Sequence, residues 1–142
     1  MDVHSIAVRS YNMSRILSMN TKPELIVRKY LFANGIRYRL HDKKLPGKPD
    51  IVVKRFRVVI FVNGCFWHQH KNCKYASKPK SNRKFWNKKL SGNVSRDKKN
   101  ISSLRKLGYR VFVIWECKIK KNNFYYLKKL TEKLEKIAVE WT

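Results

Sequence analysis

The chain has 142 residues, and its 34 lysines and arginines against nine aspartates and glutamates give a formal net charge of +25. A chain of this length most often forms one domain, so we expect residues 1–142 to fold as a single domain. The basic residues occur along the whole chain, which favours a folded nucleic-acid binder over a ligand of acidic proteins. A ribosomal type of RNA binder and a membrane-surface protein are the alternatives that charge leaves open.

Other classes are excluded by the apolar residues and the cysteines. No apolar run approaches the about 20 residues of a membrane helix, and the N-terminal segment MDVHSIAVRS lacks the apolar core of a secretory signal. We therefore expect a cytoplasmic protein without a membrane partner. Its three cysteines, an odd number in a reducing compartment, favour thiolate chemistry over a disulfide framework.

The first half of the chain predicts one helix followed by three strands. Thr21 and Glu24 form a capping box, in which Glu24 can reach back to the Thr21 N–H, and the helix after it ends at Gly35. Alternating residues 36–40 indicate a half-buried strand. The β-branched runs 50–53 and 57–62, joined by a short turn, indicate a hairpin.

The second half predicts two helices, a strand and a last helix. Residues 82–90 form a short amphipathic pattern, residues 93–108 a longer one that stops at a glycine, and 109–117 a buried strand. Residues 123–141 predict a helix that packs on the sheet through Leu127, Leu130, Leu134, Ile137 and Trp141. The order αβββααβα predicts an α/β fold with a mixed β-sheet flanked by helices, in which Trp115 and Trp141 belong to the core.

Residues 64–73, GCFWHQHKNC, suggest a metal site. Cys65, His70 and Cys73 follow the spacing C-x4-H-x2-C, and Cys117 ends the strand predicted at 109–117. A mixed sheet can bring that strand end next to the loop after residues 57–62. Three thiolates and one imidazole form a closed tetrahedral zinc site with no position for substrate. The alternative is that Cys65 and Cys117 are simply small buried residues.

Two further residues are candidates for chemistry. His68 lies between the metal-ligand candidates without being needed as one, and a neutral imidazole accepts protons near pH 7. Its alternative is an inert loop histidine. Asp50 begins the strand 50–53, where a hard carboxylate is a suitable ligand for Mg²⁺. Its alternative is an aspartate that caps the strand from a turn.

Four segments together resemble the very-short-patch-repair (Vsr) endonucleases, a branch of the PD-(D/E)xK nucleases: LPGKPDIVV, RVVIFVNGCFWHQH, FWNKKLSGNVSRDKKN and LGYRVFVIWEC. The resemblance extends over residues 9–118. It implies a restriction-endonuclease-like fold and a Mg²⁺-dependent nick in one strand at a T:G mismatch that 5-methylcytosine deamination produces. It also implies a monomer on double-stranded DNA in the bacterial nucleoid, with mismatch-repair proteins and a cognate cytosine-5 methyltransferase as candidate partners.

The resemblance assigns roles to the residues that match the family motifs. Asp50 and the carbonyl of Val62 would bind Mg²⁺, and His68 would be the general base. Asp97 would support that base, and Glu24 would lie near the metal-bound waters. The family pattern has Thr-His where this chain has Val62-Asn63, so any share of that histidine falls to Asn63.

The resemblance also covers the zinc site and the DNA contacts. The structural zinc ligands would be Cys65, His70, Cys73 and Cys117, although this chain has one residue more between His70 and Cys73 than the compact, histidine-rich version of the motif. The aromatic residues that enter the DNA stack would be Phe66, Trp67 and Trp86. Residues 1–20 would form an N-terminal DNA-contacting segment.

Simpler interpretations stay open. Glu24 would be only the capping partner of Thr21, Asp97 would only pair with basic neighbours on its helix, and Glu116 would be structural. For the whole chain, the alternatives are a zinc-containing nucleic-acid-binding protein without catalysis and a restriction-type nuclease on the same fold that cuts unmismatched DNA.

Overall fold

The computed structural model describes residues 20–140. The elements, in chain order, are α1 (Lys22–Ala33), β1 (Arg39–Leu40), β2 (Ile51–Val53), β3 (Val58–Asn63), α2 (Arg83–Lys106), β4 (Arg110–Trp115) and α3 (Glu116–Glu140), with 3₁₀ turns at Lys54–Phe56 and Lys74–Ala76. The predicted N-terminal DNA-contacting segment, except Asn20, and Trp141 lie outside the described residues. None of the helices within residues 20–140 is long and apolar enough to cross a membrane.

The sheet has four strands in the order β1-β2-β3-β4. The pairs β1–β2 and β2–β3 are antiparallel, whereas β3 and β4 are parallel, so the mixed sheet predicted from the sequence is confirmed. In the parallel pair Asn63 lies opposite Trp115. The chain segments that follow these two strands therefore leave the same edge of the sheet side by side, and Asp50, just before β2, lies at that edge too.

Apolar residues cover both faces of the sheet, which explains why β2 and β3 read as continuous β-branched runs. One face packs against α1 and α3 through Val27, Leu31, Ile51, Val53, Val58, Ile60, Ile119, Leu127, Leu130, Leu134 and Ile137. The other face packs Val52 and Val59 against Leu104 of α2. These two layers hold α1 and α2 on opposite sides of the sheet edge that carries Asp50.

The prediction of two helices at 82–90 and 93–108 was wrong, because α2 is one helix of 24 residues. Gly92 lies inside it without breaking it. A glycine destabilises a helix interior by about 1 kcal/mol relative to alanine, and burial of Leu90 and Leu104 on either side offsets that loss. The element order is therefore αβββαβα.

The ends of β4 and α3 also differ from the prediction. The strand expected over 109–117 ends at Trp115, and α3 begins at Glu116 instead of at residue 123. Asn122 interrupts α3 with extended backbone angles (φ −158°, ψ 79°), and its side chain accepts a hydrogen bond from the Tyr125 N–H at 3.2 Å. Asn122 thus acts as an N-cap for the second part of the helix, which is the part predicted from the sequence.

Candidate active site and metal cluster

A cleft of about 670 Å³ opens at the sheet edge where β2 begins and β3 ends. It is lined by all five side chains for which the sequence predicted a part in catalysis: Glu24, Asp50, Asn63, His68 and Asp97. Five cations line it as well: Lys22, Lys48, Lys89, Arg96 and Lys120. A concave surface with carboxylates inside and cations around them suits a phosphate-containing polymer together with a divalent metal ion.

Asp50 is fixed at the entrance of β2. Its Oδ2 accepts a hydrogen bond from the backbone N–H of Val62 on the neighbouring strand at 2.7 Å. Burial raises the pKa of Asp50 to about 6, although the Val62 N–H works in the opposite direction. The ionised carboxylate is therefore poorly solvated, and a bound cation would stabilise it.

Glu24 lies beside Asp50 and is fully buried. Its carboxylate accepts from the Asn20 N–H at 3.3 Å and from Arg28 Nη1 at 3.0 Å, and His41 Nε2 lies 3.0 Å from both of its oxygens. The capping prediction is thus half right: Thr21 Oγ1 accepts from the Glu24 N–H at 3.3 Å, but Glu24 reaches back to Asn20 and not to Thr21.

The sequence analysis missed His41. One ligand atom each from Glu24, His41 and Asp50 lies within 4.8 Å of the others, so these three residues could hold a metal ion. His41 follows β1 and lies 17 residues from Glu24 in sequence. The histidine-aspartate pair in RLHDKK was the only local signal, and it does not reveal the contact with Glu24, which forms only when α1 packs beside the β1–β2 pair.

His68 and Asp97 form a pair on another wall of the cleft. His68 Nδ1 lies 2.6 Å from Asp97 Oδ2, and both side chains are about a third exposed. An ionised carboxylate can only accept, so Nδ1 carries the proton and a neutral His68 keeps Nε2 as a proton acceptor. Within residues 20–140, Asp97 thus pairs with His68, and not with the basic neighbours on its helix that were its alternative partners.

Asn63, the last residue of β3, is buried and lines the cleft next to Val62. An amide has no proton to exchange near neutral pH, so Asn63 can donate or accept a hydrogen bond but cannot act as a base. Glu116, predicted to be structural, also lines the cleft and lies 3.6 Å from Lys120 Nζ.

Phe66, Trp67 and Trp86 form one aromatic group at the cleft. Ring centroids are 4.9 Å apart for Phe66 and Trp67, 5.5 Å for Phe66 and Trp86, and 5.9 Å for Trp67 and Trp86. All three are half-buried and stand outside both core clusters. The loop that carries Phe66 and Trp67 is tied to α2, because Asn93 Nδ2 donates to the Trp67 carbonyl at 3.0 Å.

The predicted cysteine and histidine ligands converge behind this loop. One atom each of Cys65, His70, Cys73 and Cys117 lies within 4.8 Å of the others, and His70 Nδ1 is 3.6 Å from the Cys65 sulfur and 3.4 Å from the Cys117 sulfur. Ligand atoms about 2.0–2.3 Å from a tetrahedral zinc ion are about 3.4–3.8 Å apart, so the cluster fits such an ion. Cys117 reaches it from the first turn of α3, not from a strand end.

The surroundings of this cluster also favour a metal. Burial raises the pKa of Cys65 to about 12, so its thiolate needs a neighbouring cation. Burial, together with nearby Lys118, lowers the pKa of His70 and keeps the imidazole neutral, as a metal ligand must be. Trp115, predicted as core, is half-buried and stacks on His70 with centroids 4.1 Å apart.

Comparisons with known proteins give one consistent result. The family described as DNA mismatch endonuclease Vsr matches residues 1–75. The chain is 42% identical over 140 residues to the DNA mismatch endonuclease Vsr of Escherichia coli K12, covering 99% of this chain and 86% of that one. It is 47% identical over 119 residues to the type II nicking enzyme V.NmeAIP of Neisseria meningitidis, covering 84% of each.

A further relative and a solved structure agree with this result. The type II nicking enzyme V.XorIIP of Xanthomonas oryzae pv. oryzae is 45% identical over 111 residues, covering 78% of this chain and 81% of that one. The catalytic domain of the homing endonuclease I-Bth0305I superposes with a TM-score of 0.54 at 26% identity, covering 86% of this chain and 98% of that one.

Proposed function

Because the chain belongs to the Vsr family of DNA mismatch endonucleases and is therefore a DNA endonuclease, we propose that it nicks one strand of double-stranded DNA at T:G mismatches, with Mg²⁺ as its cofactor. The observation that carries this proposal is the convergence of Asp50, Glu24 and the His68–Asp97 pair on one cleft with a basic rim. The mismatches are those that deamination of 5-methylcytosine produces.

Asp50 and the carbonyl of Val62 hold the metal ion in this proposal, and Glu24 orients its water molecules. Asp50 Oδ2 lies 2.7 Å from the backbone nitrogen of Val62, and the carboxylate is buried. Because few water molecules can solvate its negative charge, a bound cation would stabilise it, which supports this role. When bound, Mg²⁺ polarises the scissile phosphate and stabilises the leaving 3′ oxygen.

His68 is the general base in this proposal. His68 Nδ1 donates to Asp97 Oδ2, with the two atoms 2.6 Å apart, so Nε2 can take the proton of the attacking water. This is the base-and-orienting-carboxylate arrangement that recurs in hydrolases. Asn63 contributes a hydrogen bond and no proton transfer.

The remaining predicted residues position the DNA. Cys65, His70, Cys73 and Cys117 would hold a Zn²⁺ ion, which would fix the loop from which Phe66 and Trp67 reach the duplex. These two side chains and Trp86 insert between base steps, where unstacking is least costly at a mismatch. The lysines and Arg96 around the cleft contact phosphates without reading sequence.

The sequence left two alternatives to this function, and only one of them still competes with it. A nucleic-acid-binding protein without catalysis does not fit a member of an endonuclease family. A restriction-type nuclease that cuts both strands of matched DNA is the competing proposal. The names of three relatives describe them as mismatch or nicking enzymes, which favours a nick in one strand.

The proposal extends to the location and partners of the protein. As in a bacterial repair pathway, the protein acts as a monomer on nucleoid DNA in the cytoplasm, and its partners are mismatch-repair proteins and a cytosine-5 methyltransferase.

A duplex assay tests the proposal. Duplexes that differ only in a central T:G, T:A or C:G pair, in many flanking contexts, are labelled on one strand or the other and incubated with Mg²⁺. We expect a cut in one labelled strand of the T:G duplex and little cleavage of the matched duplexes. Equal cleavage of T:G and T:A duplexes, or cuts in both strands, would support the restriction-type nuclease instead.

A further inference from the structure

The proposed function gives no role to His41, which does not itself line the cleft but contacts Glu24, which does. The Nε2 atom lies 3.0 Å from both oxygens of Glu24, and the side chain is 13% exposed. The backbone N–H of His41 donates to the carbonyl of Asp50 at 3.1 Å. His41 is thus bonded to both carboxylate-bearing residues of the proposed metal site.

The direction of the bond to Glu24 follows from its other partners. The carboxylate already accepts from the Asn20 N–H and from Arg28. An ionised carboxylate has no proton to give, so the proton between it and His41 lies on Nε2, which is a donor. A protonated Nε2 has no lone pair for a metal ion, so in this arrangement His41 is a hydrogen-bond partner of Glu24 and does not bind the metal through Nε2.

The backbone conformation of His41 indicates that the surrounding residues fix its position. Its φ of 48° lies in the left-handed region, which a residue other than glycine adopts only when its surroundings fix it. Glu24 lies on α1 and Asp50 at the start of β2, and the residues between these elements include an irregular stretch. His41 bridges that gap through one backbone bond and one side-chain bond.

We propose that His41 is a positioning residue, which holds the Glu24 carboxylate at a fixed place relative to Asp50 so that Glu24 can orient the water around the metal ion. This inference rests on the proposed metal role of Asp50 and Glu24. Misplacing a catalytic group by about 1 Å can lower a rate by about 100-fold, so a hydrogen bond that fixes Glu24 affects turnover more than DNA binding.

The test compares three variants of the full chain. His41→Gln keeps an amide donor for Glu24, His41→Leu keeps a similar volume without a donor, and Asp42→Asn is the control. Asp42 is the next residue, and its side chain accepts from the Lys44 N–H at 2.9 Å, a bond that asparagine can also accept. The substrate is whichever duplex the unchanged protein cuts fastest, so a failure of T:G preference does not affect this comparison.

We expect His41→Leu to lower kcat by roughly 10- to 100-fold with KM for DNA changed less than about threefold, and to require more Mg²⁺ for half-maximal rate. His41→Gln should recover most of the rate, and Asp42→Asn should match the unchanged protein. A folded His41→Gln as slow as His41→Leu, or a His41→Leu at full rate, would overturn the proposal. If His41→Leu does not fold, His41→Asn, whose shorter amide falls short of Glu24, replaces it with the same expectation.

Electron paramagnetic resonance of Mn²⁺ bound to the DNA-free protein gives a readout that does not depend on activity. We expect Mn²⁺ with oxygen ligands only, in the unchanged protein and in His41→Gln alike. A directly bound nitrogen that disappears in His41→Gln would make His41 a metal ligand and would refute the positioning role. Loss of Mn²⁺ binding in Asp50→Asn, measured in the same way, checks the metal site itself.

Discussion

Two polar clusters at the same edge of the sheet differ in their chemistry. The cluster of Cys65, His70, Cys73 and Cys117 consists of three sulfurs and one nitrogen, and none of these residues lines the cleft. The cluster of Glu24, His41 and Asp50 consists of two carboxylates and one imidazole, and both carboxylates line the cleft. Soft, closed ligand sets suit structural zinc, whereas hard carboxylates beside a cleft suit Mg²⁺ and its waters.

The sulfur cluster also encloses a short functional segment of the sequence. Phe66, Trp67 and His68 stand between Cys65 and His70, and all three line the cleft. Cys65 and His70, which belong to the sulfur cluster, lie at the two ends of this short segment, while Asn93 and Asp97 of α2 contact its middle. In this account the sulfur cluster fixes the position of the side chains that meet DNA, and the carboxylate cluster performs the reaction.

The largest effect should follow from breaking the sulfur cluster. Cys73→Ser and Cys117→Ser should lose the metal and most of the soluble protein, because structural zinc contributes about 10–16 kcal/mol in small zinc domains, as much as the whole stability of a typical domain. Metal analysis and thermal unfolding of the purified variants measure this. Lys71→Ser, an exposed position in the same loop, is the control. Well-folded unchanged protein without bound metal would contradict the assignment.

Breaking the carboxylate cluster should leave the fold and abolish the reaction. Asp50→Asn should lower nicking by at least roughly 10³-fold, because several kcal/mol of charge stabilisation are lost with the metal. Affinity for DNA should stay equal or rise, since a negative charge facing phosphate is removed. Nicking assays and binding measurements on the same duplex test both halves. Undiminished cleavage by this variant would end the assignment of Asp50.

The aromatic group between the clusters should affect selectivity alone. Phe66→Ala and Trp67→Ala should keep the zinc and general DNA binding but lose about 10- to 100-fold of the preference for T:G over T:A duplexes, in line with an unstacking free energy of a few kcal/mol. The ratio of nicking rates on the two duplexes measures the preference. If both variants unfold while Trp86→Ala discriminates normally, these side chains are packing residues and not wedges.

A further effect concerns pH and the free energy of unfolding. Burial raises the pKa of Asp50 from 3.8 to about 6, so the stability that this group contributes is greatest below pH 4 and is lost as pH rises to about 6. That loss is about 3 kcal/mol. Without Mg²⁺ at pH 8, Asp50→Asn should therefore unfold at a higher temperature than the unchanged protein, and the difference should vanish near pH 4.

The affinity for Mg²⁺ should rise with pH, whereas the stability that Asp50 contributes falls. In the proposed site only the ionised form of Asp50 would bind Mg²⁺, so the apparent affinity should fall about tenfold per pH unit below about 6 and level off above it. Calorimetric titration of Mg²⁺ between pH 5 and 8 measures this dependence. An affinity that does not change over this range would show that Asp50 is not the ligand.

Most features predicted from the residue pattern alone are local in the chain, whereas the pairing of His68 with Asp97 was expected from the family resemblance and the approach of Cys117 from the position of a strand end. The sheet strands, the spacing of Cys65, His70 and Cys73, and the position of Asp50 before a strand each depend on a few neighbouring residues. His41 was missed because its partner Glu24 is 17 residues away. The prediction of two helices in place of α2 was wrong because burial of Leu90 and Leu104, on either side of Gly92, stabilises one continuous helix, and burial is a tertiary property that helix propensity does not contain.

One measurement tests the division between the two clusters most directly. Protein that holds one zinc per chain is dialysed free of other metals and incubated with a T:G duplex, first without and then with increasing Mg²⁺. The account predicts no nick from the zinc-loaded protein alone and a saturable single-strand nick when Mg²⁺ is added, at unchanged zinc content. Nicking without Mg²⁺, or nicking that rises and falls with the zinc content at fixed Mg²⁺ in folded protein, would contradict it.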